Sequence, residues 1–254
     1  MRIISIAPAM TEILYSLGLD KEIIAVTSFC NYPKEAAEKE KIGTFSDPSI
    51  EKIVSLKPDM IFAAGLEQAM VVERLRKLGL KVYVNYPSTI DELLNEISNI
   101  GMLTNRKKEA YKLVGSMKER IDAISRETKS ISLENKKKVF IEIWHDPLIT
   151  AGKGSFVDEL VKIAGGINIA YDTSRPYSYF SAELVIERDP DFIILGHEGE
   201  PDVLSSMKKR IGWDKIKAIR NSGVFNDINP DLFLRPGPRI VDGLEKIYSR
   251  LYEK

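Results

Sequence analysis

Apolar residues along this chain come in two rhythms. Short unbroken runs of four or five, rich in isoleucine and valine, alternate with longer stretches in which apolar positions recur every three or four residues. The first rhythm marks strands buried on both faces, the second amphipathic helices. Residues 3–6 form the first run, which stops at Pro8. Thr11 is placed to cap a helix that carries Ile13, Leu14 and Leu17 on one face and ends at Gly18. Residues 23–26 predict a second strand. Ser49 caps a helix over 50–56, Lys57-Pro58-Asp59 turns the chain, and 60–64 predict a third strand. Residues 68–78 keep a helical period up to Gly79, 81–84 predict a strand, and 89–102 another helix. This alternation predicts the α/β class, with a parallel sheet covered on both faces.

The stretch 105–130 breaks the alternation. It has no proline, one glycine and many charges, and Leu113, Met117, Arg120, Ile121 and Ile124 recur at helical spacing. A single helix of about 25 residues, near 38 Å at about 1.5 Å per residue, is expected. A charged segment, Glu134-Asn135-Lys136-Lys137-Lys138, follows, and the α/β pattern restarts at 139–143. The expected organisation is an α/β lobe over 1–104, a connecting helix over 105–133 and a second α/β lobe over 134–254. An internal repeat supports two halves. Ser49-Ile50-Glu51-Lys52-Ile53-Val54 corresponds to Ser181-Ala182-Glu183-Leu184-Val185-Ile186, an offset of 132 (49 to 181). At the same offset Pro58-Asp59-Met60-Ile61 corresponds to Pro190-Asp191-Phe192-Ile193.

Composition narrows the function. The 254 residues hold 37 basic and 37 acidic side chains, a net charge of zero, which argues against a nucleic-acid partner. A hydrophobic share of 44% argues against disorder. One cysteine, Cys30, excludes an internal disulfide and a multi-cysteine metal site, and two histidines leave little room for a histidine-rich zinc centre. No apolar run approaches the length of a membrane span. The opening Met1–Ile6 lacks the pattern of a signal peptide, which leaves two expectations open, a cytoplasmic chain or one whose leader has been removed.

Candidate chemistry belongs in the loops after the strands, because ligands of open α/β sheets bind outside the carboxyl ends. Phe29, Tyr32, Phe45, Trp144, Tyr177, Tyr179, Phe180 and Phe233 all fall in such loops beside proline or glycine. Aromatic loops stiffened in this way suit a wall against a large flat ligand, since little ordering entropy is lost on binding. Enzyme signatures are missing: there is no Gly-x-Ser-x-Gly, no phosphate loop, no Gly-x-Gly-x-x-Gly after a strand and no His-Glu-x-x-His. Gly152-Lys153-Gly154-Ser155 reads as a loop whose serine caps a helix over 156–164. Cys30 with His145 is a weak nucleophile pair. His145 is open to two readings, a metal or cobalt ligand or a hydrogen-bonding residue beside Asp146. Arg235 either holds a ligand carboxylate or amide or pairs with Asp231. Glu67 follows one repeat strand, and Glu198 and Glu200 follow the other, so each half carries a carboxylate at an equivalent tip. These are either docking points for a two-fold symmetric partner or ordinary solvated glutamates.

Taken together, Arg2-Ile3-Ile4-Ser5-Ile6-Ala7-Pro8-Ala9-Met10-Thr11-Glu12-Ile13, Asn31-Tyr32-Pro33, Ile53-Val54-Ser55-Leu56-Lys57-Pro58-Asp59, Gly165-Gly166-Ile167-Asn168 and the segment 229–239 resemble the substrate-binding proteins of ABC importers that capture vitamin B12, siderophores and haem. The likeness is strongest to the cobalamin-binding members. It implies two Rossmann-like α/β lobes joined by one long rigid helix, with the ligand in the cleft between them. It implies a corrinoid among Tyr32, Phe45, Trp144, Tyr177 and Phe233, with polar help from Asp231 and Arg235. It makes Glu67 and either Glu198 or Glu200 the carboxylates that dock on a membrane permease dimer. The expected protein is a monomeric, periplasmic or extracytoplasmic carrier and not an enzyme, with cobalamin as cargo, no cofactor and no metal of its own. A ferric siderophore or haem is the alternative cargo, and a cytosolic corrinoid-handling protein or enzyme the alternative class. Cobalamin binders carry a tryptophan after the strand that matches 60–64. Ala63-Ala64-Gly65 stands here instead, so the resemblance implies a thinner first-lobe wall.

Overall fold

The computed structural model describes residues 1–197 and 202–253. The chain falls into two compact units, 1–87 with 91–116 and 88–90 with 117 onward. The division lies inside the helix Lys107–Lys129, after Ser116, so the predicted long helix exists and is shared out between the units.

The first unit is built on β1 (Ile3–Ser5), β2 (Ile23–Val26), β3 (Glu40–Lys41), β4 (Met60–Ala64) and β5 (Val82–Asn85), all parallel in the order β3-β2-β1-β4-β5. Ile4, Ile6, Ala25, Ile61 and Ala63 line one face and bury against Ile53, Val72 and Leu75 of the flanking helices. Ser49 caps the helix Ile50–Ser55 by accepting from the Lys52 N–H, as expected. Thr11 does not cap its helix. Pro8, whose fixed φ suits a first turn, starts the helix Pro8–Ser16 three residues earlier, and Thr11 lies buried within it.

The second unit holds β6 (Lys138–His145), β7 (Leu148–Ala151), β8 (Ile167–Asn168), β9 (Tyr177–Tyr179), β10 (Phe192–Leu195) and β11 (Val224–Phe225) in the order β11-β10-β6-β7-β9, with β8 also paired to β6. β11, β10 and β6 are parallel, but β7 runs antiparallel to both of its neighbours, β6 and β9, so this sheet is mixed where that of the first unit is parallel throughout. Two expected loops are strand: Trp144 and His145 end β6, and Tyr177–Tyr179 is β9. Trp213, Phe140, Ile193 and Val185 anchor the core on one face.

The repeat is a shared device for pinning strands. Asp59 Oδ2 accepts from the Arg2 N–H (2.6 Å) and Asp191 Oδ2 from the Lys138 N–H (2.9 Å). The Asp59 N–H returns to the Arg2 carbonyl (2.8 Å) and the Asp191 N–H to the Lys138 carbonyl (2.9 Å). The Arg2 guanidinium donates to the Leu56 carbonyl (2.8 Å) and the Lys138 ammonium to the Arg188 carbonyl (3.1 Å). Lys57 and Asp189, again 132 apart (57 to 189), both adopt φ of 46° to end their helices. Each Pro-Asp turn therefore fixes where the central strand of its lobe begins, β1 or β6, against the neighbour that follows the turn, β4 or β10.

Candidate ligand-binding site

In the first unit the carboxyl edge is held by neutral polar residues. Gln68 is wholly buried and stitches three segments: its Nε2 donates to the Ile6 carbonyl (2.9 Å) and the Phe45 carbonyl (2.7 Å), and its Oε1 accepts from the Ala64 N–H (2.9 Å). This fixes the loop after β3 that carries the half-buried Phe45. The loop after β2 is fixed from below. Thr11 Oγ1 lies 2.7 Å from Ser5 Oγ and 3.1 Å from Cys30 Sγ, and Thr27 Oγ1 lies 3.3 Å from the same sulfur. Cys30 is thus a buried packing residue, the inert kind of thiol. Tyr32, at the end of this loop, is 44% exposed.

Glu67 is exposed in the single turn Leu66–Gln68 after β4. Beside it stands Tyr86, a residue that sequence reasoning missed. A Cβ on Gly65 would come 2.5 Å from the Tyr86 Cβ, so the glycine leaves room for a ring supplied by the next strand. Burial pushes the Tyr86 hydroxyl up, and the Glu67 charge adds to it. The edge that lacks a tryptophan after β4 therefore carries an aromatic all the same. The available signal was position, directly after β5.

The second unit has a charged edge. Glu142 is fully buried in β6. Arg210 grips it with both nitrogens, Nη1 to Oε2 at 2.5 Å and Nη2 to Oε1 at 2.9 Å, and His197 Nε2 lies 3.1 Å from Oε1. Burial alone would push the Glu142 carboxyl up; hydrogen bonds from Arg210 and His197 outweigh it and hold the group below the usual carboxylate range. Arg210 also stacks over Trp213, 4.5 Å from the ring centroid.

A bulge between Glu142 and Trp144 shifts the register of β6 on β7, so that Glu142 pairs with Thr150 and Trp144 with Ile149. Ile149 in turn pairs with Tyr179 on β9. Trp144, Ile149 and Tyr179 thus form a row across three strands, about 10 Å wide at about 4.8 Å per strand. Trp144 is 46% exposed and Tyr179 76%, with Tyr177 two residues along on the same face of β9. The Trp144 indole N–H donates to the Asp146 carbonyl (2.9 Å), which sets the ring. Its ring lies 5.0 Å from that of His145 and 5.7 Å from that of His197. Tyr179, expected in a loop and outside the set Tyr32, Phe45, Trp144, Tyr177 and Phe233 that the resemblance implies, is a strand residue. The Tyr-Ser-Tyr alternation was the sign of a strand.

Other expectations are corrected. Phe233 is not on an open wall. It is 0% exposed, in the helix Asp231–Leu234, which packs on the helices Phe156–Ile163 and Ile240–Tyr252. Gly243 permits that close approach, since a Cβ there would meet the Leu232 carbonyl at 2.1 Å. Asp231 and Arg235 pair with each other at 2.9 Å, one of the two roles open to Arg235. Phe180 is half-buried against Phe140, 5.7 Å between rings. Gly152 packs on Thr173 and Ser155 caps the helix Phe156–Ile163, which is a structural loop and not a phosphate cradle. Glu198 and Glu200 lie outside the described residues. A hollow of about 580 Å³ lined by Glu127, Asp227, Asp242 and Glu245 is a groove of paired charges, with Arg120 and Arg250 answering its acids.

The sequence profile described as periplasmic binding protein matches residues 3–228. An ABC transporter substrate-binding lipoprotein of Bacillus subtilis is 33% identical, over 99% of this chain and 80% of that protein. The periplasmic vitamin B12 binding protein of Vibrio cholerae is 29% identical in its crystal structure, with a TM-score of 0.85 over 98% of this chain and 96% of that one. A possible iron-binding, periplasmic solute-binding protein of Staphylococcus epidermidis is 33% identical, with a TM-score of 0.82 over 99% of this chain and 98% of that one. With its profile spanning nearly the whole chain and both α/β units in place, this chain belongs to the periplasmic binding protein family.

Proposed function

We propose that this protein captures a corrinoid, cobalamin or a close relative, and delivers it to an ABC importer. The observation that carries this reading is the Trp144–Ile149–Tyr179 row, whose two aromatics are exposed and flank the half-buried Ile149, a broad apolar platform suited to the face of a large flat ring. A corrin is a wide apolar disc fringed by neutral amides, so it calls for aromatic platforms and scattered hydrogen bonds in place of a strong opposite charge. Tyr32, Phe45 and Tyr86 offer aromatic surface on the first lobe, and Tyr177, with the Asp231–Arg235 pair, adds to the second. The names of the relatives, one a B12 binder and one a transporter lipoprotein, support the same cargo and a place outside the cytoplasmic membrane. No helix among the described residues is long and apolar enough to cross a membrane. The protein works as a monomeric carrier and not as an enzyme. Glu67, with Glu198 or Glu200, docks it on the permease dimer.

Calorimetry with cyanocobalamin tests the cargo. Micromolar or tighter binding is expected, weakened by about 1–3 kcal/mol in Trp144→Ala. Heat from a ferric siderophore or haemin, with none from cobalamin, would reverse the reading in favour of the iron cargo named for the Staphylococcus relative. Glu67→Ala is expected to keep corrinoid affinity and to lose stimulation of the transporter. Normal uptake with that variant, and with one lacking Glu198 and Glu200, would remove the docking role.

A further inference from the structure

The chain has two histidines, and the fold brings them side by side. His145 ends β6 and His197 follows β10, and their ring centroids are 5.3 Å apart with Trp144 touching both. Their surroundings differ. His197 is turned by the buried Glu142, which Arg210 clamps from its other side. His145 is exposed, and its ring nitrogens have no hydrogen-bond or ion-pair partner among the described residues. Among those residues no three His, Cys, Asp or Glu side chains are grouped to hold a bare metal ion. A single open imidazole beside an aromatic platform suits another kind of metal, one that already carries four in-plane donors and holds an axial ligand that exchanges readily.

We propose that His145 is an axial ligand to the metal of the bound macrocycle, taking the upper position on cobalt when the cargo arrives as aquacobalamin. This rests on the corrinoid reading above. The lone pair of a neutral His145 imidazole forms a Co–N bond and the coordinated water leaves. Cobalt remains Co(III), and no electron or proton is transferred. The carbon-bound cyanide of cyanocobalamin is held too firmly to be displaced, so that form binds by its ring and side chains alone. The Trp144 ring, 5.0 Å from the imidazole, places His145 at the edge of the aromatic platform.

Visible spectroscopy of the full chain with aquacobalamin and with cyanocobalamin, alongside calorimetry, tests this. Binding is expected to move the aquacobalamin bands to longer wavelength and to leave those of cyanocobalamin nearly in place. Aquacobalamin should bind about tenfold more tightly, a gap of about 1.4 kcal/mol. His145→Ala and His145→Phe should abolish the band shift and bring the ratio of the two affinities close to one, with melting temperature reporting that the variants are folded. His197→Gln should keep the shift. An unchanged aquacobalamin spectrum in a protein that binds cyanocobalamin would overturn the ligation and leave the corrinoid reading standing. A shift that survives in both His145 variants, or that is lost only in His197→Gln, would overturn the assignment to His145. Failure of both corrinoids to bind would overturn the two readings together.

Discussion

Ile6, one residue past β1 in the first lobe, and Glu142, within β6 in the second, stand at equivalent steps along the two central strands. Ile3 pairs with Met60 where Val139 pairs with Phe192, and three residues further on come Ile6 and Glu142, both wholly buried. In the first lobe the strand end is tied by a neutral amide, Gln68, through the Ile6 carbonyl. In the second it is tied by a carboxylate that holds an arginine and a histidine. The scaffold below that step is repeated almost bond for bond; the edge above it is not. A duplicated frame therefore fixes where the loops start and leaves their chemistry free, so one lobe ties its strand end with a neutral amide and the other with an ionic anchor under an aromatic row.

The sharpest way to break the comparison is at that step. Glu142→Ala removes one partner of a buried pair and strands the Arg210 charge, which costs about 3–5 kcal/mol. Chemical denaturation, followed by fluorescence, reports this lobe directly because both tryptophans, Trp144 and Trp213, belong to it. A loss below about 1 kcal/mol would show that the Glu142–Arg210 pair is not an anchor. The same pair sets an acid limit. Glu142 has a folded value below its ordinary one of about 4.3, so its contribution is complete above that ordinary value and fades as pH falls through the lower, folded value. In the wild type the tryptophan-reported midpoint should fall in that acid window. Glu142→Gln should flatten this dependence, and an acid limb of unchanged steepness in the variant would remove Glu142 as its source.

How far the sequence foretold this molecule follows the same divide. The repeated frame was legible because its devices are local: Ser49 and Ser181 cap their helices, the Pro-Asp turns follow, and the strands Met60–Ala64 and Phe192–Leu195 fall where the apolar runs predicted. The second edge was not, for a physical reason. β7 and β9 are four and three residues long, and the proline and aromatic residues beside them make their surroundings read as loop, so their pairing is decided by contacts and not by pattern. Phe233 looked open because Pro230, Pro236 and Pro238 surround it. Gly243, seven residues beyond Pro236, was the hidden cue that a turn presses on the last helix. Glu142, Arg210 and His197 are far apart in the chain, and nothing in their spacing announces a cluster.

The neutral tie gives the next largest effect. Gln68→Ala removes three hydrogen bonds and leaves the Ala64 N–H and two carbonyls short of partners, for about 2–3 kcal/mol. Because Gln68 joins the ends of β1 and β4 to the Phe45 loop, hydrogen exchange in 43–48 should quicken well beyond that in 177–179. Equal quickening in both segments would mean that the variant loosens the whole protein and that the two edges are not separately anchored.

The smallest effect probes the shared frame itself. Asp59→Ala and Asp191→Ala each remove one carboxylate from the start of a central strand, at about 1–2 kcal/mol, toward the low end for a hydrogen bond with an ionised acceptor because neither carboxylate is fully buried. If the two turns are one device used twice, the two losses agree within about 0.5 kcal/mol. Asp59 is the more exposed of the two, and Asp191 also has the Lys217 ammonium 3.9 Å away, so the Asp191 variant should lie at the upper end of that interval. Replacing Lys217 by Met beforehand should draw the pair together, since the extra cation is then gone from the second lobe. Losses that differ by more than twofold after that change would show that the matching bonds hide unequal loads and that the likeness of the two turns is geometric only.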